Sequence, residues 1–342
     1  MLLVNMKLLK IQKTEFEKAL KSLQTEFKIY IPKEEKNKVV FSDLGINEAL
    51  DYKFKRVSHP VKEFFLPQDE TLFYFTRDGS SLKESFNYSK RILLGIRPCD
   101  AKTLKLLDFN FLEGGYVDPY YKKRRENTLT IAVSCSEFES NCFCDALGDS
   151  PYKLNGADAI IYDLGSELNL LTDNEMIFSI LKKYSEIVED VNSEEDVKEK
   201  GNVAKRDVKS LPVNELKEKL PSLVKEADLW KKIEATCIGC GICTYLCPAC
   251  YCFDISDITF GKAGKRVRSY DSCMFKEYTL EASGHNPRPT GAERWRQRLM
   301  HKFLYYPLLY NDIGCTGCGR CIDKCPSKID IREVMTYAFN YK

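Results

Sequence analysis

Two segments of the chain carry the same closely spaced cysteine pattern, C-x2-C-x2-C-x3-C-P. The first cysteine motif runs from Cys237 to Pro248, and the second cysteine motif runs from Cys315 to Pro326. At this spacing, thiolates bind a [4Fe–4S] cluster. A cubane cluster needs four thiolates that point inward from a wrapped loop, and the two-residue spacings let three of them come from one turn. The repeated pattern therefore predicts two [4Fe–4S] clusters.

The fourth cysteine of each motif is expected to bind the cluster of the other motif, as it does in two-cluster ferredoxins. The predicted first ligand set is Cys237, Cys240, Cys243 and Cys325. The predicted second ligand set is Cys315, Cys318, Cys321 and Cys247. Glycines between the cysteines are expected to take positive φ angles and to let the backbone approach the cluster, and they are Gly239, Gly241, Gly317 and Gly319.

A four-cysteine zinc site is the alternative interpretation of closely spaced cysteines. Such sites use two C-x2-C pairs that a longer loop separates, whereas each motif here packs three cysteines into seven residues. A nickel site, a haem or a catalytic triad has no support, because the chain has only 3 histidines. The sequence contains no P-loop and no dinucleotide-binding glycine motif. We therefore expect iron–sulfur clusters and assign no catalytic residue.

The overall composition argues against several classes of protein. The chain has 342 residues, 44% hydrophobic residues and a net charge of +2, which disfavour intrinsic disorder and a nucleic-acid coat. It has no stretch of about 18 apolar residues, so no membrane span is expected. The segment Met1–Lys10 is too short and too interrupted for a secretory signal. The 15 cysteines are therefore expected to bind metal in the cytoplasm rather than to form disulfides.

Seven cysteines lie outside the two motifs. Four of them lie in the N-terminal part: two at predicted strand ends, where ligand sites cluster in an α/β sheet, and two in the loop that follows. These four form a candidate third Fe–S cluster, and they are Cys99, Cys135, Cys142 and Cys144. Buried structural thiols are the alternative for them. The other three, Cys250, Cys252 and Cys273, are expected either to bind metal with Asp271 or His285 as a fourth ligand or to be free thiols beside the clusters.

The N-terminal part of the chain predicts a mixed α/β domain. Apolar, β-branched and aromatic residues predict three strands, at Thr71–Thr76, Arg91–Ile96 and Thr128–Val133. Helical spacing of apolar residues predicts a helix over Thr14–Phe27. A second helix is predicted over Asp100–Leu107, with Asp100 as its N-cap. Because this helix follows a strand after a short turn, the two form a βα unit, and part of the sheet is expected to be parallel.

The distribution of cysteines and charges predicts two domains. Residues 1–215 are expected to form the α/β domain, and residues 216–342 a dicluster ferredoxin-like domain. The boundary follows Ser193–Lys209, where five acidic and five basic residues are typical of a solvated helix or linker. Residues 251–314 separate the two cysteine motifs. They are interpreted as an insertion, because a bare ferredoxin connects its two halves far more briefly.

The predicted insertion contains the most basic stretch of the chain. Gly261–Lys302 has ten Lys and Arg against four Asp and Glu, and Glu293–Lys302 predicts a basic amphipathic helix. Such charge is typical of a solvated face or of a shield over anionic clusters. Docking of an acidic partner subunit is the second interpretation. Binding of nucleic acid is the third, and it is the weakest because the net charge is only +2.

Taken together, these motifs resemble the iron–sulfur β subunit of cytosolic sulfhydrogenases, and they are equally similar to the A subunit of anaerobic sulfite reductase. The C-terminal part carries the resemblance in both cysteine motifs and in Ala249–Asp254, Asp271–Cys273 and Ser283–Pro289. The N-terminal part carries it in Phe64–Gln68, Gly95–Asp100, Asp118–Tyr121 and Cys142–Cys144. The resemblance therefore covers nearly the whole chain.

This resemblance implies a non-catalytic electron-transfer subunit of an anaerobic oxidoreductase complex. Its expected partners are a flavin-containing subunit that oxidises NAD(P)H and a metal-containing catalytic subunit of the hydrogenase, sulfur reductase or sulfite reductase type. Such a subunit relays single electrons between them, in either direction. Two other functions remain open: an iron–sulfur protein that binds nucleic acid, and a self-contained reductase that acts on a small molecule at the N-terminal cysteines.

Overall fold

A computed structural model describes residues 6–45, 48–85, 88–188 and 210–342 of the chain. The charged stretch Ser193–Lys209 lies outside these described residues. The described residues fall into two compact units. The first unit takes its residues from 1–61 and 88–208, and the second unit takes its residues from 62–87 and 209–342. The mixed α/β fold class predicted from the sequence is confirmed.

The described ranges contain both strands and helices. The strands are β1 (Lys7–Gln12), β2 (Lys28–Glu35), β3 (Lys38–Asp43), β4 (Asp69–Thr76), β5 (Leu82–Glu84), β6 (Arg91–Ile96), β7 (Thr128–Val133), β8 (Ala159–Asp163), β9 (Glu167–Thr172), β10 (Glu186–Val188), β11 (Phe253–Phe260) and β12 (Ala263–Tyr270). The α-helices are α1 (Lys13–Leu23), α2 (Pro98–Phe111), α3 (Pro119–Glu126), α4 (Glu175–Leu181), α5 (Val213–Lys219), α6 (Ala227–Glu234), α7 (Ile242–Tyr245), α8 (Gly291–Met300), α9 (Tyr306–Tyr310), α10 (Arg320–Asp323) and α11 (Ile331–Asn340). Within the described ranges, every helix is too short or too polar to cross a bilayer.

The first unit is built on an eight-stranded mixed sheet, in the order β10-β1-β9-β8-β7-β6-β2-β3. Its centre is parallel, because β2, β6, β7 and β8 all run in the same direction as one another. The remaining pairs are antiparallel. The parallel pairing predicted for the βα unit is confirmed by β6 and β7, which place Ile92 opposite Leu129.

The core of the first unit lies between this sheet and helices α1 and α4. Leu94 on β6, Ile161 on β8 and Leu170 on β9 are fully buried there, together with Phe16 of α1 and Ile177 of α4. Burial of each such side chain contributes about 1.5–3 kcal/mol to the free energy of unfolding. The near-continuous apolar run of β6 is explained by its place inside the sheet, where both of its faces are covered.

Most of the predicted elements of the N-terminal part agree with the structure. Strands β6 and β7 have the predicted bounds, and α1 covers most of the predicted first helix. The prediction of Asp100 as a helix N-cap is wrong. Helix α2 begins two residues earlier, at Pro98, and Arg97 is its N-cap. Pro98 sets this start because its fixed φ suits the first helical position, and it leaves Asp100 buried inside the first turn.

The second unit contains a four-stranded antiparallel sheet in the order β11-β12-β4-β5. Its β4 comes from the early part of the chain, whereas β11 and β12 come from the predicted insertion. A buried ion pair joins the two sources, with Arg268 Nη2 2.5 Å from Glu70 Oε1. Residues 62–87 therefore group with the second unit, although they lie within the predicted domain 1–215. The division at residue 215 and the insertion 251–314 stay predictions.

Helix α8 is the basic amphipathic helix predicted from the sequence. It begins with a capping box, in which Thr290 accepts a hydrogen bond from the Glu293 N–H and the Glu293 side chain accepts one from the Thr290 N–H. Its buried face carries Trp295 and Leu299, but also Arg298. The helix continues into a π-helical turn at His301–Tyr305. Such turns frequently occur at functional sites.

Candidate metal centre

The two cysteine motifs adopt nearly the same backbone conformation. Gly239 and Gly241 have φ angles of 69° and 73°, and their counterparts Gly317 and Gly319 have φ angles of 64° and 75°. The second glycine of each motif directly precedes a short helix, α7 or α10, and these two helices contact each other. The positive φ angles predicted for the four glycines are confirmed. A side chain is disfavoured at such angles, which explains why glycine occupies these positions.

The cysteines of the first ligand set all line one open cavity of about 460 Å3. Three come from the first motif and the fourth from the end of the second motif, and they are Cys237, Cys240, Cys243 and Cys325. Two backbone amides point at their sulfurs. The Gly239 N–H donates to Cys237 Sγ at 3.4 Å, and the Ile329 N–H donates to Cys325 Sγ at 3.3 Å. Four thiols in one cavity are the donor set that a [4Fe–4S] cluster requires.

The second ligand set is more deeply buried than the first. Cys247, Cys315 and Cys318 are at most 8% exposed, whereas Cys240 of the first set is exposed. Cys247 comes from the first motif, yet it is an electrostatic neighbour of Cys315 and Cys321. Cys321 also reaches the wall of the cavity that the first set lines. The two ligand sets are therefore adjacent within the second unit.

A buried lysine faces the second ligand set. Lys302 Nζ lies 3.3 Å from Cys247 Sγ and donates to the Gly314 carbonyl at 2.6 Å. Burial by itself would lower the pKa of Lys302, but the thiols of Cys247 and Cys250 raise it. The pKa of Cys247 lies well below its usual value, first because the Cys250 thiol hydrogen-bonds to it and then because Lys302 is near, although desolvation opposes both. The thiolate is the form of cysteine that binds metal.

A buried arginine lies between the two ligand sets. Arg298 lines the cavity, and its Nη2 donates to the Cys243 carbonyl at 3.0 Å. Its Nη1 lies 3.8 Å from Cys250 Sγ. Desolvation would lower the pKa of Arg298, but the thiols of Cys243, Cys250 and Cys321 raise it well above its usual value. The guanidinium therefore stays charged beside both groups of cysteines.

Lys62 joins these cations from a distant part of the sequence. It is 2% exposed, its Nζ donates to the Cys250 carbonyl at 2.8 Å, and it lies 4.6 Å from the centre of the Tyr270 ring. Burial lowers the pKa of Lys62, and the thiols of Cys250 and Cys247 oppose this. Lys62 is not predicted from the sequence as a site residue, since no motif surrounds it. For Arg298, a signal was present in its spacing of three residues from Trp295, which places both on one helix face.

Two buried polar atoms test whether the cavity fits a cluster. Trp295 Nε1 and Arg298 Nε are buried and have no hydrogen-bond partner among the described residues. Both side chains line the cavity. A buried donor left unpaired costs about 1–3 kcal/mol, so such atoms call for a partner. The sulfur atoms of a cluster accept hydrogen bonds, and the residues present therefore fit a [4Fe–4S] group.

The arrangement differs from that of a single-ion site. Within the described ranges, no group of three or more His, Cys, Asp or Glu side chains is placed to hold one metal ion. A zinc ion would require its four ligands to converge on one point. A cubane binds each thiolate to a different iron, so its ligands stand further apart.

Cys252 and Cys273 form a hydrogen-bonded thiol pair in the same unit. The Cys273 thiol is the main cause that lowers the pKa of Cys252 to about 6, with desolvation opposing it and the Tyr278 hydroxyl adding to it. The same hydrogen bond raises the pKa of Cys273. Asp271 contacts Cys252 through its backbone N–H, at 3.0 Å from the Cys252 carbonyl, and His285 is exposed. A metal role for these cysteines, with either residue as fourth ligand, stays a prediction.

Three of the four N-terminal cysteines lie close together. Desolvation and the nearby thiols of Cys135 and Cys142 raise the pKa of Cys144. Arg56 Nη1 lies 3.7 Å from Cys142 Sγ. Cys99 is in the first turn of α2, just beyond β6, and Cys135 follows β7. Because β6 and β7 are parallel neighbours, these two cysteines lie at the same edge of the sheet.

Comparison with known proteins agrees with the geometry of the second unit. Residues 236–329 match the family described as 4Fe-4S dicluster domain. This segment of the chain is therefore similar to a 4Fe-4S dicluster domain. This domain includes both cysteine motifs and the residues between them. No solved structure matches the chain.

The chain is also similar along nearly its whole length to a named protein. It is 29% identical over 335 residues to sulfhydrogenase 2 subunit beta of Pyrococcus furiosus, which covers 96% of this chain and 98% of that protein. The resemblance to sulfhydrogenase β subunits stated from the sequence is therefore confirmed. The further similarity to the A subunit of anaerobic sulfite reductase stays a prediction.

Proposed function

We propose that this chain is an electron-transfer subunit that relays single electrons through two [4Fe–4S] clusters. The observation that carries this proposal is the cavity in which Cys325 of the second motif joins three cysteines of the first. The similarity to a sulfhydrogenase β subunit supports it, because that similarity extends over 96% of the chain. The dicluster domain at residues 236–329 supports it as well.

The residues of the second unit have separate roles in this proposal. The two ligand sets hold the clusters as thiolates, and the clusters supply one-electron chemistry when bound. The amides of Gly239 and Ile329 hydrogen-bond to sulfur, and Trp295 and Arg298, which line the cavity, each carry a buried donor that has no partner among the described residues. The side chains around the second ligand set exclude water from it. No residue is assigned a catalytic role.

The partners belong to the same proposal. A flavin-containing subunit that oxidises NAD(P)H exchanges electrons with this chain, and so does a metal-containing catalytic subunit of the hydrogenase, sulfur reductase or sulfite reductase type. The complex is a cytoplasmic hetero-oligomer that does not bind nucleic acid. The similar protein is named as a subunit of a sulfhydrogenase, and this supports a multi-subunit assembly.

A third cluster on Cys99, Cys135, Cys142 and Cys144 extends the relay into the first unit. The proximity of Cys135, Cys142 and Cys144 supports it, as does the shared sheet edge of Cys99 and Cys135. Arg56 beside Cys142 offers a positive charge to an anionic cluster. The alternative of structural thiols predicts no iron there.

Iron and acid-labile sulfide, measured per chain on protein purified without oxygen, test both levels of the proposal. Two clusters give about eight irons per chain, and three give about twelve. Cys135→Ser is expected to lower the iron content by about four from the wild-type value. If this variant keeps all its iron, the prediction of a third cluster is wrong. An iron content near zero in the wild type contradicts the proposed relay itself.

A second measurement separates the relay from its rivals. The reduced chain is expected to reduce a one-electron dye as fast as the two solutions can be mixed. By itself, the chain is expected to show no turnover of hydrogen, sulfite or polysulfide. Turnover by the isolated chain that Cys99→Ser abolishes would favour a self-contained reductase. Salt-dependent binding to DNA or RNA would favour the nucleic-acid alternative.

A further inference from the structure

Lys302 is a buried lysine beside the second ligand set. It lies in the π-helical turn after α8, it is 4% exposed, and Gly314 and Cys247 hold its ammonium group. Its Nζ lies 3.3 Å from the sulfur of Cys247, which belongs to the second ligand set. A buried ammonium at this position is therefore paired with sulfur.

Arg298 differs from Lys302 in which cysteines it faces. It is 3% exposed and contacts the carbonyl of Cys243, which belongs to the first ligand set. It also lines the same cavity as Cys321, which belongs to the second set. Arg298 therefore acts on both ligand sets, whereas Lys302 acts mainly on the second.

The buried cation beside the first ligand set is Arg298, which it shares with the second set. Among the described residues, no lysine or arginine side chain hydrogen-bonds to the sulfur of Cys237, Cys240 or Cys325; backbone amides contact two of these sulfurs. Reduction adds one electron to a centre that is already anionic. A buried positive charge stabilises that added charge far more than a screened surface charge does. The two centres of the relay therefore feel different fields.

We infer that Lys302 makes the cluster of the second ligand set the easier of the two to reduce, and that Arg298 raises the reduction potentials of both. Lys302 and Arg298 are positioning residues in this scheme, since they act on the clusters through the surrounding field. The inference rests on the proposed function, because it requires two clusters held by the two ligand sets. Its consequence is that an electron entering the second unit comes to rest at the buried centre.

A redox titration monitored by EPR on the anaerobically purified full-length chain tests this inference. Two reduction waves of the wild type are expected to belong to the clusters of the second unit, and of these Cys318→Ser removes the one at higher potential and Cys240→Ser the other. Lys302→Met is expected to lower the potential of the higher wave and to leave the lower wave nearly unchanged. Arg298→Gln is expected to lower both. Lys302→Arg keeps the charge and is expected to restore the wild-type higher wave.

Lys276→Met is the matched control, because it removes one positive charge from an exposed lysine of the same unit. Its potentials are expected to equal those of the wild type. The inference is overturned if Lys302→Met keeps its iron and both wild-type potentials, or if Cys318→Ser removes the lower wave. If Lys302→Met loses iron, Arg298→Gln decides, and unchanged potentials in that variant overturn the inference. A wild type without iron overturns the proposed function together with it.

Discussion

Substitution of Gly241 by alanine should weaken cluster retention far more than the same substitution at Gly239. Both glycines lie in the first cysteine motif, and their φ angles of 73° and 69° are nearly equal. Their surroundings differ. A Cβ at position 241 would lie 2.7 Å from two carbons of the Phe275 ring and 3.2 Å from Ser272 Oγ. A Cβ at position 239 would meet nothing within 4 Å.

The magnitude of the difference follows from two terms. A positive φ costs an alanine about 1–2 kcal/mol at either position. Carbon atoms prefer to stand about 3.5–4.0 Å apart, so at position 241 the Phe275 ring must leave its place beside Tyr245. Overpacking of this kind costs about 1–3 kcal/mol more. We expect Gly241→Ala to destabilise the motif by roughly 2–5 kcal/mol and Gly239→Ala by about 1–2 kcal/mol.

The assay follows the loss of cluster absorbance as urea is added under argon, together with iron per chain before the titration. Gly241→Ala is expected to lose its clusters at a clearly lower urea concentration than Gly239→Ala. The double variant Gly241→Ala with Phe275→Ala removes the clash and should recover part of the loss. Equal urea midpoints for the two glycine variants would refute the reasoning, because the close contacts with Phe275 and Ser272 are what distinguish them.

The remaining predictions concern ligand crossing and the start of α8. Cys325→Ser and Cys247→Ser should each lower iron by about four per chain, and Cys325→Ser should remove the EPR signal that Cys240→Ser removes. Loss of the Cys318-dependent signal in Cys325→Ser would show that the fourth cysteines do not cross. Thr290→Ala removes the N-cap of α8 and should cost about 1 kcal/mol, seen as a lower melting temperature. Its reduction potentials should stay unchanged, and a shift would mean that the cap also positions Arg298.

The cysteine motifs could be interpreted from the sequence because their information is local. Spacing and glycine content determine the turn, and the positive φ angles at Gly241 and Gly319 agree with that. Strands β6 and β7 could likewise be predicted from the sequence, since each is a short apolar run within a parallel sheet. The start of α2 was not, because Pro98 and Asp100 both favour a helix start and proline prevailed.

Long-range pairing was beyond the reach of sequence patterns. The sequence predicts a strand at Thr71–Thr76, which lies within β4, but nothing in its residues indicates that it pairs with β12. The position of Lys62 could not be predicted for the same reason. Lys62 precedes β4, and only the pairing of that segment with later residues brings it to Cys250. The cationic surroundings of the cysteines were predicted as a basic stretch. Burial of Arg298 and Lys302 within it depends on packing that composition does not report.

The pairing of β4 with β12 has a consequence for the order of events during synthesis. Glu70 and Arg268 are 198 residues apart in the chain, so β4 leaves the ribosome long before its partner exists. The eight-stranded sheet of the first unit can form while the edge of β4 that pairs with β12 is still unpaired. A strand edge of this kind attracts other chains, and it is a known route to aggregation. The four-stranded sheet of the second unit therefore forms late in synthesis, and slow or interrupted translation after β4 should increase aggregation of this chain.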